Sequence, residues 1–241
     1  MSSIALIARR ELYGYLRSPL GYCIVAAVLC LHGLLFNVLW MDGERPSYDV
    51  LQGFFYQSSG FVAAVAVLLA MRLFAEERQT GTEVLLLKSP VPEWQIVLGK
   101  FAGAYVFLCG YVLLTAYMPL LVLVNGKVTG GHVAAGYGGL LLLGAAVMAL
   151  GTFASSLVSS QLLAAVLGGA LTITGFACWI IARKVSGGIG GFVGYLDFME
   201  SHYLSFSRGI VKFSSIVYWL SVTYVALLAA TASLAARRWR G

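Results

Sequence analysis

Charged residues are scarce in this sequence of 241 residues, in which Asp, Glu, Lys and Arg together make up 11% and hydrophobic residues 60%. Soluble domains carry about a quarter charged residues, so the composition predicts an integral membrane protein. A net charge of +6 would suggest nucleic acid as a partner of a soluble chain. Here Lys and Arg fall mostly between apolar runs, where membrane topology and anionic lipid account for them, and no nucleic-acid binding is expected.

Motifs for nucleotide binding are also missing. No G-x-x-x-x-G-K-[ST] sequence occurs, since Gly99-Lys100 is followed by Phe101. The glycine cluster between positions 187 and 194 lacks both the G-x-G-x-x-G spacing and a βαβ context. The chain is therefore not expected to hydrolyse ATP itself or to be an enzyme.

Patterns for metal binding and redox chemistry are equally weak. The four cysteines all fall inside apolar runs and form no C-x-x-C pair, which favours small buried hydrophobic residues: Cys23, Cys30, Cys109 and Cys178. Asp197, Glu200 and His202 are spaced by three and then two residues, which matches no helical face cleanly. We expect no disulfide, metal or cofactor in this chain.

Six uncharged runs are long enough to cross a membrane, since about 20 residues of helix span about 30 Å of hydrocarbon. They cover residues 20–40, 54–71, 101–124, 133–157, 162–182 and 216–236. The prediction is one all-α, polytopic membrane domain over residues 1–241 with six transmembrane helices.

The distribution of Lys and Arg predicts the orientation, because positive residues concentrate in cytoplasmic segments. Six spans place both termini on one side. With the termini inside, ten Lys and Arg lie inside: Arg9, Arg10, Arg17, Arg72, Arg78, Lys88, Lys100, Arg237, Arg238 and Arg240. Six lie outside: Arg45, Lys127, Arg183, Lys184, Arg208 and Lys212. We expect both termini in the cytoplasm.

Ionisable groups are nearly absent from the six runs, which contain no Asp, Glu, Lys or Arg. His32 is either a proton relay or a hydrogen-bonded packing residue, and the lack of an acidic partner favours packing. An ion-coupled carrier would place a carboxylate near the midplane, and an intramembrane hydrolase would need a nucleophile with a base. The sequence favours neither class.

Residues 1–18 predict an amphipathic helix on the membrane surface. Its apolar half holds Ile4, Ile7, Ala8, Leu12, Tyr15 and Leu16. Arg10 and Arg17 lie opposite and are expected to contact anionic lipid, while Glu11 interrupts the pattern. The alternative is a solvated tail.

Gly99 and Gly103 have the small-xxx-small spacing that lets membrane helices approach closely. Packing within one bundle and contact between subunits both use this spacing. We favour packing within the bundle.

Charged residues are concentrated between Arg72 and Lys100. We call residues 74–98 the central segment of this charged region. Glu76, Glu77 and Arg78 should extend the second span, and Gly81 should end that helix. Thr82 and Glu83 then begin a short helix to Lys88, before a break at residues 89–92. A short rigid helix between two spans can transmit a displacement from a soluble partner. The alternative is a solvated hairpin without a partner.

The loop of residues 183–215 is too long for a simple connection and is rich in aromatic residues. Aromatic side chains favour the membrane interface. We expect helices packed on the bundle rather than a free loop.

Two stretches resemble ABC-2 type permeases of ATP-binding cassette transporters. The first is AEERQTGTEVLLLKSPV, from Ala75 to Val91, continuing to Lys100. The second is HYLSFSRGIV, from His202 to Val211, followed by YWLS from Tyr218, and it resembles the branch of the gliding-motility-associated permease GldF. The usual Gly-Thr-Leu-Glu of the family appears here as Gly81-Thr82-Glu83-Val84.

The resemblance implies a permease subunit of the bacterial inner membrane. Residues 76–93 would be the coupling helix seated on a separate ABC ATP-binding subunit, with docking residues Glu76, Glu77, Arg78, Gly81, Thr82 and Glu83. Residues 4–17 would be the elbow helix, and those after Arg183 would form extracellular helices. The implied complex has two ATP-binding subunits, which bind ATP and Mg, a second permease copy or close paralogue, and an auxiliary periplasmic subunit.

Three functions fit this interpretation. The first is export of a substrate driven by ATP hydrolysis, and mechanical work on an envelope or motility complex would use the same parts. The second is a non-transporting membrane anchor or scaffold of such a complex. The third is a membrane-embedded lipid-modifying enzyme, for which Asp42, Glu44 and Asp49 form only a loose acidic cluster.

Overall fold

The computed structural model describes residues 3–41, 46–83, 90–126, 128–184 and 194–238, and these residues contain no β-strand. The helices are α1 Ser3–Arg17, α2 Pro19–Phe36, α3 Ser47–Ala70, α4 Arg72–Gln79, α5 Glu93–Leu114, α6 Tyr117–Asn125, α7 Gly130–Leu157, α8 Gln161–Lys184, α9 Leu204–Ser207 and α10 Phe213–Arg238. π-Helical turns follow α2 at Asn37–Met41 and precede α9 at Met199–Tyr203.

Among the described residues, six helical segments are long and apolar enough to cross a membrane. They are Gly21–Trp40, Ser47–Gln79, Glu93–Val124, Gly130–Leu157, Gln161–Cys178 and Phe213–Arg238. The prediction of an all-α chain with six spans is confirmed. The second segment, of 33 residues, extends beyond its apolar run at both ends, and the third, of 32 residues, begins before its run, because polar and charged residues continue these helices.

Helix α7 forms the centre of the bundle and packs against α3, α5, α8 and α10. Glycines on α7 allow these close approaches. A Cβ atom at Gly151 would lie 2.6 Å from Cβ of Ala70 on α3, and Gly144 is similarly covered by Leu108 on α5. Because the hydrophobic effect does not drive association within lipid, such close backbone packing stabilises the bundle.

The second span is interrupted at Met71, between α3 and α4, and Ser155 on α7 satisfies the backbone there. The Ser155 hydroxyl donates to the Met71 carbonyl at 3.0 Å. It accepts from the N–H groups of Phe74 and Ala75, each at 3.1 Å. A backbone break inside the protein needs such a partner, because buried backbone N–H and C=O groups are costly when they are not hydrogen-bonded.

Ser155→Ala is expected to lower the free energy of unfolding by about 1–3 kcal/mol, because it leaves these buried backbone groups unpaired. The measurement is the unfolding temperature in detergent, followed by tryptophan fluorescence. Ser156→Ala is the matched control, since the Ser156 hydroxyl donates only to Phe153 O, within its own helix. Equal unfolding temperatures for the two variants would contradict the role given to Ser155.

The bundle has two distinct ends. The charged end comprises α1, α4, the start of α5 and the last turns of α7 and α10. Both described termini lie there, since α1 packs on α5 and Arg238 of α10 pairs with Glu93 at 2.7 Å. The cap end comprises residues 194–212 and the first turns of α3 and α7. An even number of spans accounts for both termini being at one end.

Residues 194–212 pack on the bundle, as their aromatic content predicted; residues 185–193 lie outside the described part. The Tyr203 hydroxyl donates to Phe55 O at 2.8 Å, and the ring of His202 stacks on Tyr218 with 3.8 Å between centroids. Burial lowers the pKa of His202, which favours its neutral form.

Asp197, Glu200 and His202 each have a structural role in this segment. Asp197 Oδ2 accepts from the backbone N–H groups of Glu200 and Ser201 and so starts the π-helical turn. The Glu200 carboxylate pairs with Arg183 at 2.7 Å. Their side chains thus stabilise the cap.

Candidate functional site

Three charged side chains from three helices meet at the charged end. Lys100 Nζ on α5 lies 2.7 Å from Glu11 Oε1 on α1 and 2.8 Å from Glu77 Oε1 on α4. The Lys100 side chain is only 2% exposed. A buried cation is stable only when it is paired, so this Lys100 triad holds the three helices in one arrangement.

Helix α1 reaches the triad because two glycines on α5 let it approach. A Cβ atom at Gly99 would lie 2.7 Å from Cβ of Ile7, and one at Gly103 would lie 2.6 Å from the Ala8 carbonyl oxygen. The glycine pair therefore packs within the chain, as favoured from its spacing. Glu11 interrupts the amphipathic pattern of α1 in the sequence. In the structure it faces α5 and pairs with Lys100.

The far end of α1 is also tied to the bundle. The buried Tyr15 hydroxyl donates to Leu69 O on α3 at 2.9 Å. The prediction of a helix before the first span is thus correct. However, α1 packs against other helices of the bundle more than a helix lying only on the lipid surface would.

The two arginines assigned to lipid have different surroundings. The Arg10 side chain is 74% exposed, with Nη2 3.6 Å from Glu77 Oε1, beside the triad. The Arg17 guanidinium lies 5.6 Å from the centre of the Tyr13 ring, and Arg9 lies 5.4 Å from the same ring. Contact of Arg10 and Arg17 with lipid remains a prediction.

Glu76 forms a local pair on α4. Arg72 donates to both of its carboxylate oxygens, at 2.7 and 3.0 Å, one helical turn away. The Arg72 guanidinium also lies 5.9 Å from the centre of the Tyr15 ring. This pair fixes the outer face of α4 beside α1.

Arg78 closes the end of α7. Its side chain is 4% exposed, and it donates to the carbonyl groups of Ser156 at 2.6 Å and Val158 at 2.8 Å. Arg237 of α10 donates to the carbonyl of Leu157 at 2.7 Å. Cations are favoured at a helix C-terminus, where carbonyl groups lack partners within the helix. Arg78 therefore connects α4 to the central helix.

Residues 80–83, which we call the tip, follow α4 and are mostly exposed. Gly81 has a φ of +72°, the left-handed conformation that ends a helix most readily at glycine. The Thr80 hydroxyl lies 2.9 Å from that of Thr82, and Glu83 pairs with Arg78 at 3.0 Å. The predicted helix end at Gly81 is observed, whereas residues 84–88 of the predicted short helix lie outside the described part.

A cavity of about 350 Å³ separates the tip and α4 from α1. Its walls include Arg10, Glu11, Arg72, Glu77, Thr82 and Lys100. The charged side chains thus surround an open, polar cleft at the end of the bundle. This setting suits contact with a soluble protein rather than with hydrocarbon.

His32 lies apart from this region and packs inside the bundle. Its Nε2 lies 3.0 Å from the Ser58 hydroxyl, which donates to Phe54 O. The imidazole stacks against Phe54 and Phe61. These contacts agree with the interpretation as a packing residue.

The family described as ABC-2 family transporter protein matches residues 11–178 of the sequence, more than half of the chain. The chain belongs to this ABC-2 transporter family. It is accordingly a membrane permease component of an ABC transporter. No curated protein matches the chain.

The match to the ABC-2 family begins at Glu11 and includes all three residues of the Lys100 triad as well as Arg78 and the tip. Of the predicted docking residues in this permease, the structure brings Glu77 to the triad and Arg78 to α7, and leaves Gly81 and Thr82 exposed. Sequence reasoning missed Glu11 and Lys100. Two features of the sequence could have indicated them: Lys100 directly follows Gly99, and Glu11 is the single acidic residue that interrupts the apolar face of the first helix.

Proposed function

We propose that this permease receives the movement of a separate ATP-binding subunit at its tip and passes it to the membrane helices through Glu77 and Arg78. The division of side chains along one segment supports this proposal. Thr80, Gly81 and Thr82 are exposed, whereas Glu77 and Arg78 bind α5 and α7. A displacement of the tip would therefore move the bundle.

The contacts of α4 define the path of that movement. Glu77 leads through Lys100 to α5 and through Glu11 to the elbow helix α1. Arg78 binds the C-terminal end of α7. At the other end of α7, His132 contacts Ser207 O at 2.7 Å and so connects this helix to the residues of the cap end. One rigid helix thus joins the two ends of the bundle. ATP binding on the partner would tilt these helices together.

The proposed complex contains two copies of this chain, or this chain and a close paralogue, with two ATP-binding subunits that hold ATP and Mg. The charged end faces the cytoplasm of a bacterial cell, with both termini inside and the cap on the outer side of the inner membrane. The concentration of Lys and Arg at the charged end supports this orientation. Export of a substrate and mechanical work on an envelope complex, as in the gliding-motility branch, both follow from such movement.

Thr82→Tyr is expected to lower recovery of the ATP-binding subunit by about tenfold when the tagged permease is purified from its native host. Thr82 is exposed, so the permease itself should keep its unfolding temperature. A residue at the centre of an interface contributes about 1–2 kcal/mol, which corresponds to this change in affinity. Glu83→Arg should act in the same direction, because it places a second cation beside Arg78.

Ser159→Tyr is the matched control, since Ser159 is exposed at the charged end in the loop after α7. It should leave both recovery and stimulated ATP hydrolysis unchanged. The docking assignment is wrong if no ATP-binding protein accompanies the wild-type chain. It is equally wrong if Thr82→Tyr and Glu83→Arg retain full assembly and stimulated hydrolysis.

A further inference from the structure

A second cavity, of about 690 Å³, opens at the cap end, far along α7 from the charged end. It lies between the first turns of α7 and the segment that leads from the cap into α10. We call it the cap cleft. Its volume is in the range of pockets that hold small organic ligands, about 300–1,000 Å³.

The floor of the cap cleft is apolar. It is lined by Ala135, Gly138, Leu142, Phe206, Val211 and Ile216. Nothing lies within 4 Å of the position that a Cβ atom at Gly138 would occupy. The glycine therefore widens the cleft instead of packing against a neighbouring helix.

The rim of the cap cleft carries a cation. Arg208 lines it and is exposed. Within the described ranges, no carboxylate lies within salt-bridge distance of its guanidinium. Arg183, at the same end, pairs with Glu200 at 2.7 Å. Arg208 is thus available to an anion.

The backbone around Arg208 is held in place. Gly209 has a φ of +77° and packs against His132, and the Tyr48 hydroxyl donates to Arg208 O at 3.4 Å. His132 in turn donates to Ser207 O at 2.7 Å. The rim is therefore positioned before any ligand arrives.

We propose that the cap cleft binds an anionic phospholipid of the surrounding membrane, with its phosphate on Arg208 and an acyl chain along the apolar floor. Arginine pairs well with phosphate because several N–H groups can donate to its oxygens. The apolar floor suits an acyl chain, whereas a free anion would leave that floor uncovered. The inference does not depend on the proposed ATPase coupling, because binding requires only the permease.

Native mass spectrometry of the full chain in detergent tests this assignment. The probes are dioleoylphosphatidylglycerol, dioleoylphosphatidylcholine of equal chain length, and glycerol phosphate as the head group alone. We expect one phosphatidylglycerol to bind about tenfold more tightly than phosphatidylcholine, because the choline cation of phosphatidylcholine offsets the charge of the phosphate that pairs with Arg208. Glycerol phosphate should bind far more weakly than the intact lipid.

Two variants separate the rim from the floor. Arg208→Gln should reduce phosphatidylglycerol binding about tenfold, to the level of phosphatidylcholine. Gly138→Leu should fill the floor and weaken both lipids. The controls are Lys184→Gln, which removes an exposed charge at the same end, and Gly110→Leu, at an open glycine on α5; neither should change binding.

Three results would overturn the proposal. Equal binding of phosphatidylglycerol and phosphatidylcholine would show that the net negative charge of the lipid does not contribute to binding. Binding of glycerol phosphate as tight as that of the lipid would identify a site for a free anion. Unchanged binding in both Arg208→Gln and Gly138→Leu would place the lipid elsewhere.

Discussion

Lys100→Met is expected to lower the unfolding temperature of the permease by about 10 °C. Removing one partner of a buried ion pair costs about 3–5 kcal/mol, and about 2–4 °C is lost per kcal/mol in a chain of this size. Here the substitution leaves Glu11 and Glu77 close together without the cation that lies 2.7 and 2.8 Å from them. The measurement is thermal unfolding in detergent by tryptophan fluorescence.

The neutral triple variant Lys100→Met, Glu11→Gln, Glu77→Gln provides the decisive comparison. It should recover most of the lost temperature, because the unpaired buried charges are then absent. Lys184→Met is the matched control for loss of a lysine, since Lys184 is exposed. A Lys100→Met protein as stable as the Lys184→Met protein would show that the triad does not hold the helices.

Gly103→Val is expected to displace α1 from α5. The added Cβ would lie 2.6 Å from Ala8 O and 2.7 Å from Glu11 Cβ, and backbone cannot yield as the end of a flexible side chain can. Loss of this contact also separates Glu11 from Lys100. Trypsin should then cleave after Arg9, Arg10 and Arg17 at least about tenfold faster, because release makes local unfolding of α1 more frequent.

Gly110→Val is the control on the same helix, since nothing lies within 4 Å of a Cβ atom there. It should leave the cleavage rate of α1 near that of the wild type. Equal cleavage of the Gly103→Val and Gly110→Val proteins would contradict the packing of α1 in the groove formed by Gly99 and Gly103.

The sequence was sufficient for the six spans because hydrophobic length alone determines which helices can cross a membrane. Hydropathy alone did not locate the ends of the spans. The charged residues 76–78 and Gly81 did predict that the second span continues as a helix beyond its apolar run, and α4 at Arg72–Gln79 agrees with that prediction. The break at Met71 was unpredictable, because the partner of its backbone, Ser155, is more than 80 residues away in the chain.

Some features of the candidate site could also be predicted from the sequence, and others could not. Gly81 was predictable because a left-handed helix end favours glycine regardless of the rest of the fold. The pairing of Glu11 with Lys100 was not, since it depends on how α1 packs across two glycines of another helix. The resemblance implied that Arg78 is a docking residue, and its docking remains a prediction. The sequence did not show that the Arg78 side chain binds the carbonyl groups at the end of α7.

Photo-cross-linking from the tip tests the central claim most directly. In the native host, a benzoylphenylalanine at position 82 is compared with one at position 110, which lies on the exposed side of α5. The readout is the presence of the ATP-binding subunit in the cross-linked adduct. Our account predicts that position 82 captures the ATP-binding subunit and that position 110 does not. Capture of that subunit from position 110 alone, or an assembled complex with no adduct from position 82, would contradict it.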